Sequence, residues 1–239
     1  MRLLAIETSS PASSVALGDG RRLVAGAERV DRRGPEGFLV PALDFCFDQA
    51  GWKPDDVEAV VVDVGPGLFT GIRVGLATAQ GIAAAVGAPL VPATSVDALA
   101  IRAATGRRRI WAVMDVRRGE MAVASYHPVP GGVVKDGSPE LVTPDGFRAL
   151  LESDPEEALV VGDWEAFGEP MFRGLQRVRM GGPRHPPAEA LLELVVQRVE
   201  REEFPLPEEV RPLYLREPDA HINWQSFREE DGWPRRDTD

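Results

Sequence analysis

The sequence predicts an α/β protein built as two similar lobes, each a mixed sheet with flanking helices. The order of elements is the first reason. Strands are expected near 2–7, 13–18 and 22–30, a helix near 36–50, a strand near 57–63, a helix near 70–87 and a strand at 89–92. Much the same order then returns: strands near 109–115, 120–126 and 133–142, a helix near 144–152, a strand near 158–162, a helix near 164–173, a strand near 176–180 and a helix near 187–202. A second reason is the run Val60-Val61-Val62, which stays apolar until Asp63, as a central strand covered on both faces does. Third, Gly65-Pro66-Gly67-Leu68-Phe69-Thr70-Gly71-Ile72-Arg73 follows that strand and opens a helix of small residues, so it reads as a strand–loop–helix hinge. Thr70 is placed to cap that helix.

Three strands followed by alternating helices and strands, used twice, is the order of the actin-like, ribonuclease-H-like ATPase superfamily, whose ligands lie between the lobes. The expected division is residues 1–100 for the first lobe, 101–220 for the second and 221–239 for a tail, with helix 187–202 packing back on the first lobe. From Phe204 the chain is punctuated by Pro205, Pro207, Pro212, Pro218 and Pro234, which suits a wrapping segment better than a third domain.

At 239 residues and 44% hydrophobic, the chain can bury one substantial core or two modest ones. No apolar run looks long enough for a membrane span, and Met1-Arg2-Leu3-Leu4-Ala5-Ile6 turns polar at Glu7 too early for a signal peptide, so a cytoplasmic protein is expected. The single cysteine, Cys46, agrees with a reducing compartment. Lys+Arg number 27 against 38 Asp+Glu, a net charge of −11 that opposes a strong autonomous grip on a phosphate backbone.

Two helices carry unusual surfaces. Gly71, Gly75, Ala79, Ala83 and Gly87 recur at i, i+4 spacing and form a low ridge. Either a partner helix approaches there or the helix lies tightly on its own sheet. In 38–50, Phe38, Ala42, Phe45 and Cys46 form one apolar stripe and Leu39, Leu43 and Phe47 a second. One stripe suits the sheet, and the other requires cover from the second lobe or a separate subunit.

The catalytic inventory is thin. His127, His185 and His221 are widely separated, and no His-x-x-x-His pair exists to hold a metal on one helical face. Cys46 reads as a packed thiol, and Ser9, Ser10, Ser13 and Ser14 as a polar turn without a nearby base. Glu7, Asp63 and Asp115 each end an expected strand, where actin-like enzymes place carboxylates that position magnesium or water.

Leu4-Ala5-Ile6-Glu7-Thr8-Ser9, the glycine loop at 65–73, Asp115-Val116-Arg117-Arg118-Gly119-Glu120 and Pro212-Leu213-Tyr214-Leu215-Arg216-Glu217-Pro218-Asp219-Ala220 stand in the order found in the TsaB family, which this chain resembles from about residue 2 to 220. That family supplies the non-catalytic, actin-like subunit of the bacterial machinery for threonylcarbamoyladenosine in tRNA. The resemblance implies pairing with a TsaD-like catalytic subunit through the two helices, with Phe38, Leu39, Ala42, Phe45, Phe69, Thr70, Gly71, Arg73, Gly75 and Ala79 at the interface. It also implies a TsaE-like ATPase, leaves a homodimer through the same helices open, and routes tRNA contact through the complex. No cofactor is expected in the isolated chain; ATP or ADP is left open for the assembly. TsaD carries a metal-binding His-x-x-x-His just after the next strand, where this chain has Ser95 and Leu99, which do not replace imidazoles. Glu7, where Asp is common in the family, and Leu68, where Ser is common, are departures. The rival reading is a stand-alone actin-like ATPase or small-molecule kinase using Glu7, Asp63 and Asp115; a peptidase has no catalytic constellation to support it.

Overall fold

The computed structural model describes residues 1–31 and 34–215. In the first lobe, β1 (Arg2–Glu7), β2 (Ala12–Asp19) and β3 (Arg22–Val30) form an antiparallel meander, while β4 (Ala59–Asp63) and β5 (Leu90–Ala93) add in parallel on the other side of β1. The second lobe repeats this plan with the meander β6 (Arg109–Asp115), β7 (Met121–Val129) and β8 (Gly132–Val142) and the parallel strands β9 (Ala158–Gly162) and β10 (Val178–Met180). The sheet orders are β3-β2-β1-β4-β5 and β10-β9-β6-β7-β8. This is the duplicated α/β, actin-like architecture that the element order predicts.

Both faces of each sheet are covered, which explains the unbroken apolar runs. On one face of the first sheet lie α1 (Leu39–Ala50) and α2 (Phe69–Val86), whose Leu39, Leu43, Cys46, Leu76 and Ala79 pack with Leu4, Ile6, Val60 and Val62. The alternate residues Leu3, Ala5 and Val61 face the other way, onto Leu191, Leu192 and Val195 of α5 (Ala188–Glu200). On the second sheet, Val96, Leu99 and Ala103 of α3 (Ser95–Ala103) meet Ile110, Ala112 and Met114, and Phe147 and Leu151 of α4 (Pro144–Ser153) meet Trp111, Val113 and Val160. Each buried Val or Leu side chain contributes about 1.5–3 kcal/mol relative to exposure.

The lobes exchange helices. α3 follows β5 in the chain yet packs on the second sheet, and α5 closes the second half yet lies on the first, its Ala188 amide donating to Ser14 Oγ of β2 at 2.9 Å. A division at residue 100 therefore falls inside α3. Along the seam, Arg102 of α3 pairs with Glu189 and Glu193 of α5 at 2.5 and 3.1 Å. Asp97 of α3 receives Lys135 at 2.6 Å and the Tyr126 hydroxyl at 2.8 Å from the second sheet.

Several elements differ from expectation. α3 is absent from the expected order. The expected helix 164–173 is two 3-10 turns, Trp164–Phe167 and Glu169–Phe172, separated by Gly168 at φ +79°, with Pro170 in the second turn. Ser13 and Ser14 are buried in β2, and only Ser9 and Ser10 precede it. α2 starts at Phe69 with Leu68 in the N-cap position, so Thr70 is a first-turn residue and not the cap. At 18 residues α2 reaches the length and apolarity of a membrane span, which the sequence reading denied of any run. Its Ile72, Leu76, Ala79 and Ala83 are buried in the lobe.

Candidate partner face and carboxylate pair

The glycine loop is held against the end of β1. Leu68 donates its amide to the Ser9 carbonyl at 2.6 Å, Thr8 donates its hydroxyl to the Gly71 carbonyl at 2.7 Å, and Ser95 Oγ donates to the Pro66 carbonyl at 2.5 Å. Gly65 adopts φ +99°, a region that side chains rarely enter. A Cβ at Gly67 would overlap the Ser9 carbonyl oxygen, at Gly71 the Thr8 carbonyl oxygen, and at Gly75 the Thr8 hydroxyl.

That geometry decides between the two readings of the ridge. Gly71, Gly75, Ala79 and Ala83 are buried within their own lobe, so their small size lets α2 lie against β1 and its following turn. Gly71, Gly75 and Ala79 are thus corrected from surface candidates to packing residues. The stripes on α1 are also redrawn. Leu39, Ala42, Leu43 and Cys46 form the buried face, which takes Leu39 and Ala42 out of the exposed set. Phe38 precedes the helix, packs partly against the core, and lies under the Arg29 guanidinium at 5.2 Å. Phe45, drawn with the buried Ala42, in fact points outward.

The outside of the two helices sets apolar and aromatic residues among polar ones such as Asp44, Asp48, Gln49 and Gln80. Val40 and Phe45 of α1 are 74% and 51% exposed, and Phe69 at the start of α2 is 50% exposed. Thr70 and Arg73 are exposed beside it. Phe69 stacks on Tyr214 with ring centroids 5.2 Å apart; the Arg73 guanidinium lies 3.7 Å from the Phe69 ring centroid and donates from Nε to the Tyr214 hydroxyl at 2.8 Å. The C-terminal segment is anchored by Leu213, whose amide donates to the Val64 carbonyl at 2.7 Å. Tyr214 is a member of this face that helical periodicity cannot reveal, since it lies outside both helices; its signal is the matched motif at 212–220, of which 216–220 lie outside the described residues, as do His221 and the tail.

Glu7 and Asp63 end adjacent parallel strands and meet inside the lobe, both fully buried. Glu7 Oε1 accepts the Ser9 amide at 2.6 Å and the Ser9 hydroxyl at 2.5 Å, while Asp63 Oδ1 accepts the Gly65 amide at 2.7 Å. Burial, then the charge of Asp63, pushes the Glu7 carboxyl well above its usual range; burial pushes Asp63 up to about 6. Glu7 Oε2 and Asp63 Oδ2 are buried without a hydrogen-bond partner among the described residues. Asp115 is elsewhere: at the end of β6 its amide donates to Asp163 Oδ2 at 3.2 Å, and its carboxylate accepts the Arg117 amide at 2.7 Å.

The structure therefore brings together two of the three sequence-predicted carboxylates and seals them. A magnesium ion requires near-octahedral oxygen ligation, and this pair has one uncommitted oxygen on each residue, both buried. The set does not fit the metal. Among the described residues no group of three His, Cys, Asp or Glu is placed to hold an ion. Ser95 and Leu99 are both fully buried, the first bonded to the glycine loop and the second packed on the second sheet. His127 lies 3.0 Å from Asp136, and His185 lies 3.5 Å from Asp163.

Paired lobes with strand-end carboxylates define a protein of the actin-like class. Residues 37–139 match the family of TsaD, tRNA N6-adenosine threonylcarbamoyltransferase. The chain is 29% identical to the Escherichia coli tRNA threonylcarbamoyladenosine biosynthesis protein TsaB, over 95% of this chain and 98% of that protein. An uncharacterised Mycobacterium tuberculosis protein is 33% identical over 91% of this chain and 93% of its own. The solved structure of YeaZ from Pseudomonas aeruginosa superimposes with a TM-score of 0.76 at 27% identity, covering 89% of this chain and all of YeaZ. Over nearly its whole length the chain is thus similar to TsaB.

Proposed function

We propose that this chain is a non-catalytic scaffold subunit of a cytoplasmic assembly that builds threonylcarbamoyladenosine in tRNA. Its similarity to TsaB and its relatives' names support the pathway; the observation that carries the scaffold role is the exposed aromatic and apolar surface on α1 and α2. Phe69, Arg73 and Tyr214 are the residue types that anchor protein interfaces, and here they are already ordered against one another. A TsaD-like subunit is the partner proposed for this face. A second copy of the chain competes for it in the partner's absence, a TsaE-like ATPase joins the assembly, and nucleotide and tRNA enter through the complex. The sealed state of Glu7 and Asp63 favours this reading over a stand-alone ATPase or kinase.

Co-purification and titration test it. The chain should bind a TsaD-like subunit, lack stoichiometric zinc or iron, and hydrolyse no ATP above background by itself. Magnesium-dependent turnover by the isolated chain, or no association with that partner, overturns the proposal.

A further inference from the structure

We infer that the outer edge of the second lobe, presented by Arg173, Arg177 and Arg179, is a contact surface for the phosphate backbone of the RNA substrate; the inference rests on the proposed role in tRNA modification. The charge of the chain is unevenly spread. Residues 104–187 contain 11 Lys+Arg against 12 Asp+Glu, whereas the whole chain has 27 against 38. The near-neutral second lobe thus stands beside a strongly acidic remainder.

Within that lobe, β10 is an edge strand, paired only with β9. Val178 points into the core, so Arg177 and Arg179, one residue to either side of it, share the opposite face. Both are exposed, as is Arg173 just upstream. No ion pair engages any of the three among the described residues. Two of them bond to backbone carbonyls: Arg177 Nη1 donates to Pro155 at 3.0 Å, and Arg179 Nη1 donates to Gln176 and Val178 at 2.9 and 3.2 Å. By contrast, Arg108 and Arg109 at the neighbouring start of β6 are paired with Glu157, Asp136 and Asp154.

Arg177 and Arg179, held by neutral oxygens, keep their charge available, as does the exposed Arg173, and a planar guanidinium matches a phosphate in two-pronged geometry. Arg177 and Arg179, two residues apart on an extended segment, are spaced by roughly 6–7 Å along the backbone, comparable to successive phosphates, and an open edge can follow a backbone without reading its bases. Three contacts are too few for firm binding by a chain of net charge −11. They suffice to orient an RNA already held by a partner. An acidic protein segment is the rival occupant.

The test uses the assembled complex of this chain with its TsaD-like partner and an unmodified tRNA transcript, titrated across a range of salt. The triple variant Arg173→Gln, Arg177→Gln, Arg179→Gln should weaken RNA binding about tenfold or more and lower the salt slope by roughly 3, about one unit per lost phosphate contact. Affinity for the TsaD-like subunit should be unchanged. Should the triple variant fold poorly, Arg177→Gln alone should lower the slope by about 1 while Arg177→Lys preserves it. Lys53→Gln, in the first lobe, serves as the control. An unchanged slope in folded variants overturns the inference, as does loss of a protein partner with RNA binding intact. Failure of the wild-type chain to join the TsaD-like subunit would instead overturn the proposed function.

Discussion

Thr8 and Gly71 are joined by a hydrogen bond of 2.7 Å, from the hydroxyl that follows β1 to a carbonyl in the first turn of α2. The bond requires the helix to lie so close that neither Gly71 nor Gly75 has room for a Cβ. Gly75→Leu should therefore destabilise the free protein by overpacking, by at least about 1–3 kcal/mol. That corresponds to a Tm lowered by roughly 2–12 °C for a chain of this size. Partner affinity of the folded fraction should be unchanged. A normal Tm combined with weak association would show that the ridge faces a partner after all.

The outward face calls for different substitutions. Tyr214→Ala removes the ring stacked on Phe69 and the hydroxyl that receives Arg73, and Phe45→Asp places a charge on exposed apolar surface. Each should weaken binding to a TsaD-like subunit by about 1–2 kcal/mol, or roughly 5- to 30-fold, with little change in Tm. Phe38→Asp is a poorer probe, because Phe38 is half-buried and its loss also affects folding. Calorimetric titration of the melted-and-checked variants decides; wild-type affinity in both would remove this face from the interface.

The Glu7–Asp63 pair makes stability depend on pH. Both groups hold protons more tightly folded than unfolded, since burial raises Asp63 from 3.8 to about 6 and raises Glu7 well above its usual range. Folding therefore takes up protons. The pair's contribution is fully present below about pH 4 and is lost as pH rises through about 6 and beyond. Glu7→Gln keeps a donor toward Asp63 and removes one titration, so urea midpoints measured from pH 5 to 8 should fall less steeply than in the wild type. Parallel profiles would show that Glu7 does not titrate across this range.

Asp97 offers a test of the seam between lobes. It accepts from Lys135, the Tyr126 hydroxyl and Thr94 Oγ1, the last at 2.5 Å. Asp97→Ala leaves the mostly buried Tyr126 hydroxyl without that acceptor and should cost about 1–3 kcal/mol. Loss of thermal stability with unchanged partner affinity is the expected result; an unchanged Tm would mean that water replaces the carboxylate.

Sequence patterns expose what local chemistry controls. Val60 to Asp63 and Leu3 to Glu7 read as strands because both sheet faces are covered and the apolar runs are continuous. α3 escapes the same logic: Val96, Ala98, Leu99, Ala100 and Ala103 are buried around most of its circumference, so it lacks the one-sided pattern of a surface helix. The signal available was its start, where Thr94 accepts from the Asp97 amide as an N-cap. The faces of α1 are misread for a related reason. Phe45 is more apolar than Ala42, yet the sheet admits the smaller residue and leaves the ring in solvent. Tyr214 meets Arg73 across 141 positions of sequence, a contact no local pattern encodes.

The exchange of α3 and α5 makes the two halves of the polypeptide mutually dependent. A fragment ending near residue 104 would carry α3 without the second sheet, and would leave Leu3, Ala5 and Val61 uncovered for want of α5. The complementary fragment would have the converse defect. Neither half is thus a self-sufficient folding unit, and the two expressed together should reassemble by fragment complementation. A repeated architecture has in this way become a single cooperative object, in which each copy completes the other.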